Sequence, residues 1–576
     1  MTVKCVGVFP QEEFDKRRTF FQILELVFPL RFEGRGEGEW PGLDAGIFLQ
    51  GMSGMVSEAA RQGLFCYVAI SAESGPGKGR PREVRFTASE SLDSRLRNKV
   101  LTEKKALEFP PLPVESGDAV RAEVEGRPVW IARRNGALRM DLVPHAPREI
   151  AEGEGLRDQI AEGEFIALLP LVHFLREVAG EECWRNPPLR GSIILDDPNL
   201  HWSSYGFARY AELARHAEEH HYHISMAMIP FDGWFAHRGA RRVFREQAAR
   251  ISLIMHGNNH TYEEFMQPMP REACDSYIAQ ALRRVETFER RWGVPVGRVM
   301  VAPHGRSSLE MLRAMLTAGI EAMISDVPHP WRPMDSRNPP EMPTARWEPA
   351  EMVVGGFPII PRFCMLSYPY DEIILRGFLD LPLIFAGHQW DLAWGLDILT
   401  ERAEQTNSLG PVRWMSPAEI ARTNYATRRR GGTLQIKLYS RRVRVSIPEG
   451  VNAIEVTTPP VHGESVDELL FCGERGEAFH YTTASGEAGP FPRGRSQLIP
   501  VPEAGELDIQ LTRPPLLDKP YVPPPFPGVW IMTRRILTEG RDHLLPYLPK
   551  TYRQNYAKER IQRMLCGRPV RSKYIG

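Results

Sequence analysis

The sequence is poor in cysteine, and the cysteines that it has are not arranged for metal binding or disulfide pairing. Seven cysteines are scattered over 576 residues, and no two of them form a CxxC pair. Cysteine zinc sites and disulfide frameworks both need close or regular spacing. We therefore expect free thiols and a reducing compartment, the cytoplasm.

Long apolar runs and an excess of either charge are also missing. No stretch of about 18 apolar residues occurs, which argues against a membrane-spanning helix. The N-terminal residues lack the apolar segment of a secretory signal. Lys+Arg and Asp+Glu both number 72, so the formal net charge is zero. Bulk charge therefore favours neither nucleic-acid binding nor attachment to an anionic membrane.

The length of the chain predicts several domains. Strand and helix patterns alternate over residues 1–150, which predicts an α/β accessory domain with a layout like that of flavodoxins or amidotransferases. The cysteine nucleophile of the amidotransferases is not expected here, because Cys66 lies inside an apolar strand, where burial is the usual fate of cysteine. Residues 151–190 are predicted to form a helical linker.

Residues 191–424 show the most regular alternation of strand and helix, which predicts parallel strands in a (β/α) barrel. Residues 425–515 alternate apolar and polar side chains and predict a small antiparallel β-sandwich. Residues 516–576 contain a proline-rich segment and a basic helical tail. A solvated face is the simplest interpretation of this tail, and a protein partner is the alternative.

Two strand ends carry the residues best suited to chemistry. The stretch GSIILDDPNL ends in Asp196 and Asp197, and the stretch ISLIMHGNNH supplies His256 and His260. Because parallel strands end at one rim of a barrel, these side chains are expected to meet there. Asp197 with the two histidines would form a three-ligand site for a divalent metal, Zn²⁺ first and Co²⁺, Ni²⁺ or Fe²⁺ as alternatives. Turn-capping carboxylates and structural histidines are the competing interpretation.

A carboxylate beside a metal ligand is placed to accept a proton from water, which gives Asp196 a role as general base. His388 follows the apolar run LPLIFAG and is predicted to reach the same rim, with Asp391 close enough to orient it. A structural histidine is the alternative at this position.

The order of these motifs resembles the polysaccharide deacetylase superfamily (NodB homology, carbohydrate esterase family 4) over about residues 190–400. The resemblance implies a distorted (β/α) barrel that uses a divalent metal to remove acetyl groups from N-acetylated or O-acetylated carbohydrates. It implies Asp196 as base, His388 as general acid, and metal ligation by Asp197, His256 and His260.

The chain departs from the family's pattern at two positions. Gly257 stands where a serine or threonine is usual, and Val301 stands where an arginine normally orients the catalytic aspartate. His304 and Arg306 are the candidates to replace that arginine. The turn Pro303-His304-Gly305 is expected to lie at the substrate and to offer a backbone N–H.

Trp202 and Trp390 neighbour the catalytic strand ends and are expected to stack on sugar rings, with core packing as the alternative. Two other functions compete with deacetylation. The missing arginine is compatible with a carbohydrate-binding pseudoenzyme or scaffold, and the same acids on a related barrel could hydrolyse a non-sugar amide or a glycosidic bond.

Overall fold

The chain folds into a nine-stranded N-terminal sheet, a barrel, a small β-sandwich and a C-terminal helical hairpin. The structure, a computed structural model, describes residues 3–51, 53–71, 81–104, 109–110, 112–136, 138–151, 154–161, 163–261, 263–326, 330, 347, 349, 352–354, 357–457, 479–482, 488–491, 496–500, 505–510 and 528–564. The proline-rich segment predicted before the helical tail lies outside the described residues.

The N-terminal sheet has the strand order β2-β1-β3-β4-β9-β8-β7-β5-β6. Its first five strands are parallel, and their order is that of the flavodoxin-like doubly wound sheet. The strands are β1 Lys4–Phe9, β2 Leu30–Gly34, β3 Ala45–Phe48, β4 Phe65–Ser71, β5 Arg82–Phe86, β6 Val100–Glu103, β7 Ala119–Val124, β8 Arg127–Asn135 and β9 Leu138–His145. The helices are α1 Gln11–Lys16, α2 Arg18–Val27, α3 Ser53–Arg61, α4 Leu156–Ala161 and α5 Phe165–Ala179.

Cys66 lies in β4 and is fully buried, and burial raises the pKa of its thiol to about 12. The thiol is therefore an apolar packing group. Helix α5, in the segment predicted as a linker, packs on the N-terminal sheet. The carbonyl of Ala167 accepts a hydrogen bond from the Tyr67 hydroxyl at 3.1 Å, and Phe174 contacts the ring of Phe65.

The central barrel confirms the fold class expected from the alternating pattern. The strands of this region are β10 Arg190–Asp196, β11 Ser204–Tyr205, β12 Ala208–Arg209, β13 Ile224–Met228, β14 Ile251–His256, β15 Val296–Val301, β16 Ala322–Ser325, β17 Met352–Val354, β18 Phe357–Pro361, β19 Phe363–Cys364, β20 Leu383–His388 and β21 Arg413–Trp414. Of these, β11 and β12 form a separate two-stranded sheet. Its helices are α6 Tyr210–Glu219, α7 Arg238–Glu246, α8 Arg271–Trp292, α9 Leu309–Thr317, α10 Tyr370–Phe378, α11 Asp397–Asn407 and α12 Pro417–Ala421.

The barrel is closed by a bend in the chain where a strand pair would normally close it. The strand order is β17-β18-β16-β15-β14-β13-β10-β20-β19, and every pair except β17–β18 is parallel. The two ends of the parallel series, β18 and β19, are separated in sequence by Arg362 alone. One extended segment therefore leaves the edge of β16 and joins the edge of β20, which accounts for the distortion of the barrel.

Apolar side chains fill the interior below the rim where the parallel strands end. They include Ile194, Ile254, Val301, Ile360 and Ile384, all fully buried. Successive strand residues point to opposite faces. The interior positions of Ile194, Ile254 and Ile360 therefore direct the residues two places on, Asp196, His256 and Arg362, toward the same interior. His388, four places after Ile384, has the same orientation.

A small sandwich follows the barrel, and one of its strand pairs is parallel, although the sequence predicts an antiparallel arrangement. Its four-stranded sheet has the order β22-β23-β25-β28 with β23 and β25 parallel, and β24 pairs with β29. Buried apolar residues of both sheets form one core. The strands are β22 Tyr425–Arg430, β23 Thr433–Leu438, β24 Arg442–Ile447, β25 Ala453–Thr457, β26 Phe479–Thr482, β27 Ala488–Phe491, β28 Ser496–Pro500 and β29 Gly505–Gln510.

Two helices, Gly528–Leu544 and Lys550–Met564, form what we call the C-terminal hairpin. Ala557 and Ile561 of its second helix belong to the core cluster that includes Trp390 of the barrel. The basic tail predicted from the sequence therefore packs on the barrel near the end of β20. Among the described residues, no helix is long and apolar enough to cross a membrane.

Candidate metal centre and active site

Asp196 and Asp197 end β10 and contact different partners. Asp196 follows Ile194 on the interior face of the strand and is buried. Asp197 is the next residue and has a φ of 73°, a left-handed conformation that is uncommon outside glycine. The chain thus turns sharply between two acids, and the carboxylates separate although the residues are adjacent.

The predicted metal ligands come together. Asp197 Oδ1 lies 3.4 Å from His256 Nε2 and 3.0 Å from His260 Nε2, and one ligand atom from each residue lies within 4.8 Å of the others. His256 Nδ1 donates a hydrogen bond to the carbonyl of Val301 at 3.0 Å. This bond fixes the tautomer, so that the Nε2 lone pair faces the cluster.

The cluster has the charge and the unsatisfied atom that a cation would need. Burial opposes ionisation of Asp197, but His260 and His256 outweigh it and hold the pKa of the carboxyl well below its usual value. Its Oδ1 is buried and has no hydrogen-bond partner within the described part of the chain. One carboxylate and two imidazoles form a donor set that suits Zn²⁺ and related metals. The residues present therefore fit a divalent cation.

The loop between the two histidines is shaped by Glu264, a residue that the sequence analysis missed. Its buried carboxylate accepts hydrogen bonds from the backbone N–H groups of Asn258 (2.7 Å), Asn259 (3.1 Å) and Thr261 (3.2 Å). The hydroxyl of Tyr277 donates to it as well, at 2.9 Å. An acid three residues after a threonine at a loop end was the available signal for such a contact.

Gly257 occupies the position where the resemblance expects serine or threonine, and its surroundings require glycine. Its φ is 65°, and a Cβ atom would lie 2.1 Å from Glu264 Oε1 and 2.6 Å from Pro303 Cγ. The carboxylate that supports the loop thus fills the space that a side chain would need.

Arg362, in the bend that closes the barrel, is the counter-ion of Asp196. Its Nη1 donates to both carboxylate oxygens, at 2.9 and 2.7 Å, and both residues are buried. Burial raises the pKa of Asp196, but Arg362, His256 and His388 outweigh it and the net shift is downward. The expectation that His304 or Arg306 replaces the family's arginine is wrong. The guanidinium that pairs with Asp196 belongs to Arg362, which lies between β18 and β19.

His388 ends β20 directly beside Asp196, since the two residues are register partners across the β10–β20 pair. Burial lowers the pKa of its imidazole, against the opposing effect of Asp196 and Asp197. Its backbone N–H donates to Asp391 Oδ2 at 2.8 Å. Burial raises the pKa of Asp391 to about 7, so this carboxyl changes charge near neutral pH.

The turn Pro303-His304-Gly305 follows β15 at the same rim. His304 is exposed and has a φ of 59°, and its ring centroid lies 5.9 Å from that of His260. Pro303 and Gly305 are buried, and the Gly305 carbonyl accepts a hydrogen bond from Ser325. Arg306 instead pairs with Glu263 at 3.6 Å.

The two tryptophans proposed to bind sugar lie in different surroundings. Trp202 is 57% exposed and contacts His543 of the C-terminal hairpin. Trp390 is buried, its ring stacks on His388 with centroids 4.4 Å apart, and Arg560 lies 4.9 Å from its centroid. Only Trp202 therefore offers an open face to a ligand.

The C-terminal hairpin binds the rim through charged side chains. Arg535 and Asp232 form a buried two-point ion pair, with Nε and Oδ1 3.2 Å apart. His201 contacts Glu539 through Nδ1 at 2.8 Å and the Asp232 carbonyl through Nε2 at 2.9 Å. Both contacts need an N–H, and although burial lowers the pKa of His201, Glu539 and Asp232 raise it on balance.

Two further contacts join the same hairpin to the loop that carries His260 and to Tyr205 at the end of β11. The guanidinium of Arg534 donates to the carbonyls of His260 and Asn259. The hydroxyl of Tyr205 donates to Asp542 Oδ2 at 2.8 Å. The hairpin is therefore part of the wall of the site.

Known structures of similar shape include carbohydrate deacetylases and esterases. The chain is 9% identical to the carbohydrate deacetylase Agd3, with a TM-score of 0.46, 87% of this chain covered and 99% of that one. It is 11% identical to a family 4 carbohydrate esterase from Streptomyces lividans, with a TM-score of 0.23, covering 40% of this chain and 92% of that one. It is 12% identical to a Streptococcus mutans CE4 esterase, with a TM-score of 0.24, covering 40% of this chain and 87% of that one.

No family model and no curated relative matches the sequence. Because all three TM-scores are below 0.5, the function proposed below is based on the geometry of the site.

Replacing Gly257 by serine, the residue usual in the family, should damage the site. Left-handed backbone costs a side-chain-bearing residue about 1–2 kcal/mol, and displacing Glu264 adds to this. We expect a lower thermal midpoint and weaker Zn²⁺ affinity by titration calorimetry. Gly54→Ser in α3, where a Cβ meets nothing within 4 Å, is the control and should match the wild type. Full Zn²⁺ affinity in Gly257→Ser would contradict the steric account.

Asp391→Asn should change how stability depends on pH. The wild-type carboxyl keeps its proton in the folded state up to about pH 7, whereas in the unfolded chain it ionises near its ordinary pKa of 3.8. The wild-type free energy of unfolding should therefore fall between these pH values, by at most ~1.4 kcal/mol per pH unit, and level off above pH 7. The variant should lack this decline in urea titrations. Parallel curves for the two proteins would refute the buried, protonated Asp391.

Arg535→Met should release the C-terminal hairpin from the barrel. The substitution leaves Asp232 buried without its partner, and breaking such a pair typically costs about 3–5 kcal/mol. Hydrogen exchange of the backbone amides in Gly528–Leu544 should become much faster. Lys550→Met removes an exposed positive charge from the same hairpin and should leave this exchange unchanged. Equal protection in both variants would show that the ion pair does not hold the hairpin.

Proposed function

We propose that the protein is a metal-dependent hydrolase that removes acetyl groups from an N-acetylated or O-acetylated carbohydrate. The observation that carries the proposal is the division between two adjacent carboxylates. Asp197 lies against His256 and His260, and Asp196 is held by Arg362 beside His388. A metal site and a separate acid–base pair at one rim are the parts that amide or ester hydrolysis requires.

Asp197, His256 and His260 would hold the cation. When bound, it would supply a Lewis acid for the acetyl carbonyl and lower the pKa of a nearby water, and Zn²⁺ is the ion that we propose. Asp196 is suited to accept the proton of the attacking water, because Arg362 keeps its carboxylate ionised and fixed in orientation.

His388 is placed to return a proton to the leaving amine or alcohol. Its lowered pKa favours the neutral imidazole at pH 7. Negative charge that develops beside the imidazole during the reaction raises its pKa. His388 can therefore take up a proton and then donate it to the leaving group. The Pro303-His304-Gly305 turn, at the same rim, is positioned to border the acetyl group.

The case for a catalytically weakened pseudoenzyme rested on Val301 in place of arginine. Arg362 supplies the missing positive charge to Asp196 from another strand, so Val301 is no sign of lost turnover. Trp202, exposed beside the rim, is the residue that we propose to stack on a sugar ring. An acetylated saccharide is therefore favoured over a non-sugar amide.

We also propose that the protein acts in a reducing compartment, the cytoplasm. The five cysteines in the described part of the chain are all free thiols, and four of them are buried. Oxidising compartments favour paired cysteines.

The proposal predicts acetate release from N-acetylated oligosaccharides by the zinc-loaded protein. Asp196→Asn should lower kcat by about 10²–10⁴-fold while zinc content stays the same, because the residue moves a proton and does not bind the metal. His256→Ala should lose zinc as measured by mass spectrometry. Asp15→Asn, on the exposed side of α1, is the matched control and should retain full activity.

Two results would overturn the proposal. One is full acetate release by Asp196→Asn. The other is purified protein that binds no stoichiometric metal, with an affinity for added Zn²⁺ that His256→Ala leaves unchanged. Cleavage of glycosidic bonds without metal would assign the carboxylates to a glycosidase.

A further inference from the structure

The first helix of the C-terminal hairpin turns charged side chains toward the barrel and apolar side chains toward solvent. Its face toward the barrel carries Arg535, Glu539 and Asp542, each paired with a rim residue. Its face toward solvent carries apolar side chains that are each more than half exposed: Val529, Trp530, Met532, Ile536, Leu537 and Leu544. Surface helices normally bury the apolar face and expose the polar one.

The apolar face is larger than the helix itself. Tyr547, 86% exposed, and Tyr552 extend it beyond the helix. Most of the large apolar side chains that are exposed in the described part of the chain lie on this hairpin. Exposed apolar side chains concentrated on one element in this way mark a site of association.

Local charge identifies the occupant. Residues 528–564 contain eight Lys and Arg against three Asp and Glu, in a chain whose total charge is zero. One of the eight, Arg535, is neutralised by Asp232, and the other seven still outnumber the acids. The acids of the first helix, Glu539 and Asp542, face the barrel, so none of them lies on the apolar face. Pairing with the hairpin of a second copy would bring two positively charged surfaces together, which disfavours self-association.

We propose that the apolar face of the C-terminal hairpin docks on an anionic lipid surface. An in-plane helix with an apolar face, basic neighbours and interfacial aromatic rings is the structure that binds at the headgroup boundary. Trp530 and Tyr547 lie near the two ends of the face, and such rings favour that boundary. In this arrangement the helix lies flat on the bilayer.

Docking would place the catalytic rim at the membrane surface. The same helix binds His201, Asp232 and the carbonyl of His260 on its other side. Substrates carried at a membrane would then meet the mouth of the barrel directly. The attachment itself does not depend on the proposed function, since it uses no catalytic residue.

The test is flotation of the full-length protein with vesicles. One set contains phosphatidylcholine alone, and the other also contains about one third phosphatidylglycerol. The protein should float with the anionic vesicles only, and about 1 M NaCl, where the Debye length is ~3 Å, should weaken this binding. Replacing Trp530, Ile536 and Leu537 by serine should reduce the vesicle-bound fraction by about tenfold or more.

Leu26→Ser combined with Val114→Ser is the matched control, because both residues are equally exposed but lie in the N-terminal domain. This variant should bind vesicles like the wild type. The hairpin variant should keep the wild-type thermal midpoint, since its three side chains already face solvent. Trp530→Phe should bind while losing part of the fluorescence blue shift that vesicles induce.

Three outcomes would overturn the proposal. The wild type remains unbound to anionic vesicles at low salt, or the triple serine variant binds as well as the wild type. The third is a dimer in light scattering that the triple variant abolishes, which would make a second copy the occupant of the face.

Discussion

The ion pair between Arg362 and Asp196 is the contact on which the site depends. Two neighbouring carboxylates in a buried rim repel each other, and each would take up a proton if it had no positive partner. The protein gives each acid its own partner from a different strand. Asp196 receives Arg362, and Asp197, turned away by its left-handed backbone, receives the two histidines. The two acids can therefore hold different roles although they are adjacent.

Much of this arrangement was predictable from the sequence. The apolar runs before Asp196, His256 and His388 placed these residues at parallel strand ends, and parallel strand ends share a rim. The metal cluster and the neighbouring position of His388 follow from that constraint. The strand–helix alternation also predicted the barrel, because crossover helices require parallel strands.

The parts that were missed depend on contacts between residues distant in sequence. Arg362 lies 166 residues after Asp196, and its pairing depends on a bend whose position no local pattern reveals. One local signal was present: Ile360 and Arg362 are two residues apart, as Ile194 and Asp196 are, and alternation sends both pairs into the barrel. The helical tail was predicted, but its packing on the barrel was not. Its polarity is reversed, so charged side chains that a sequence pattern places on a solvated face are buried against the rim.

The residue at which the barrel closes also contacts the candidate site. Among the described residues, β18 and β19 do not pair with each other; they are consecutive pieces of one chain segment, and the backbone N–H of Arg362 between them donates to the Ser325 carbonyl at 3.0 Å. Arg362 is the residue at that junction, and its guanidinium reaches Asp196 only while both flanking strands stay paired with their neighbours. Because β18 pairs with β16 and β19 pairs with β20, the residue that joins the two ends of the parallel series is also the residue that neutralises Asp196.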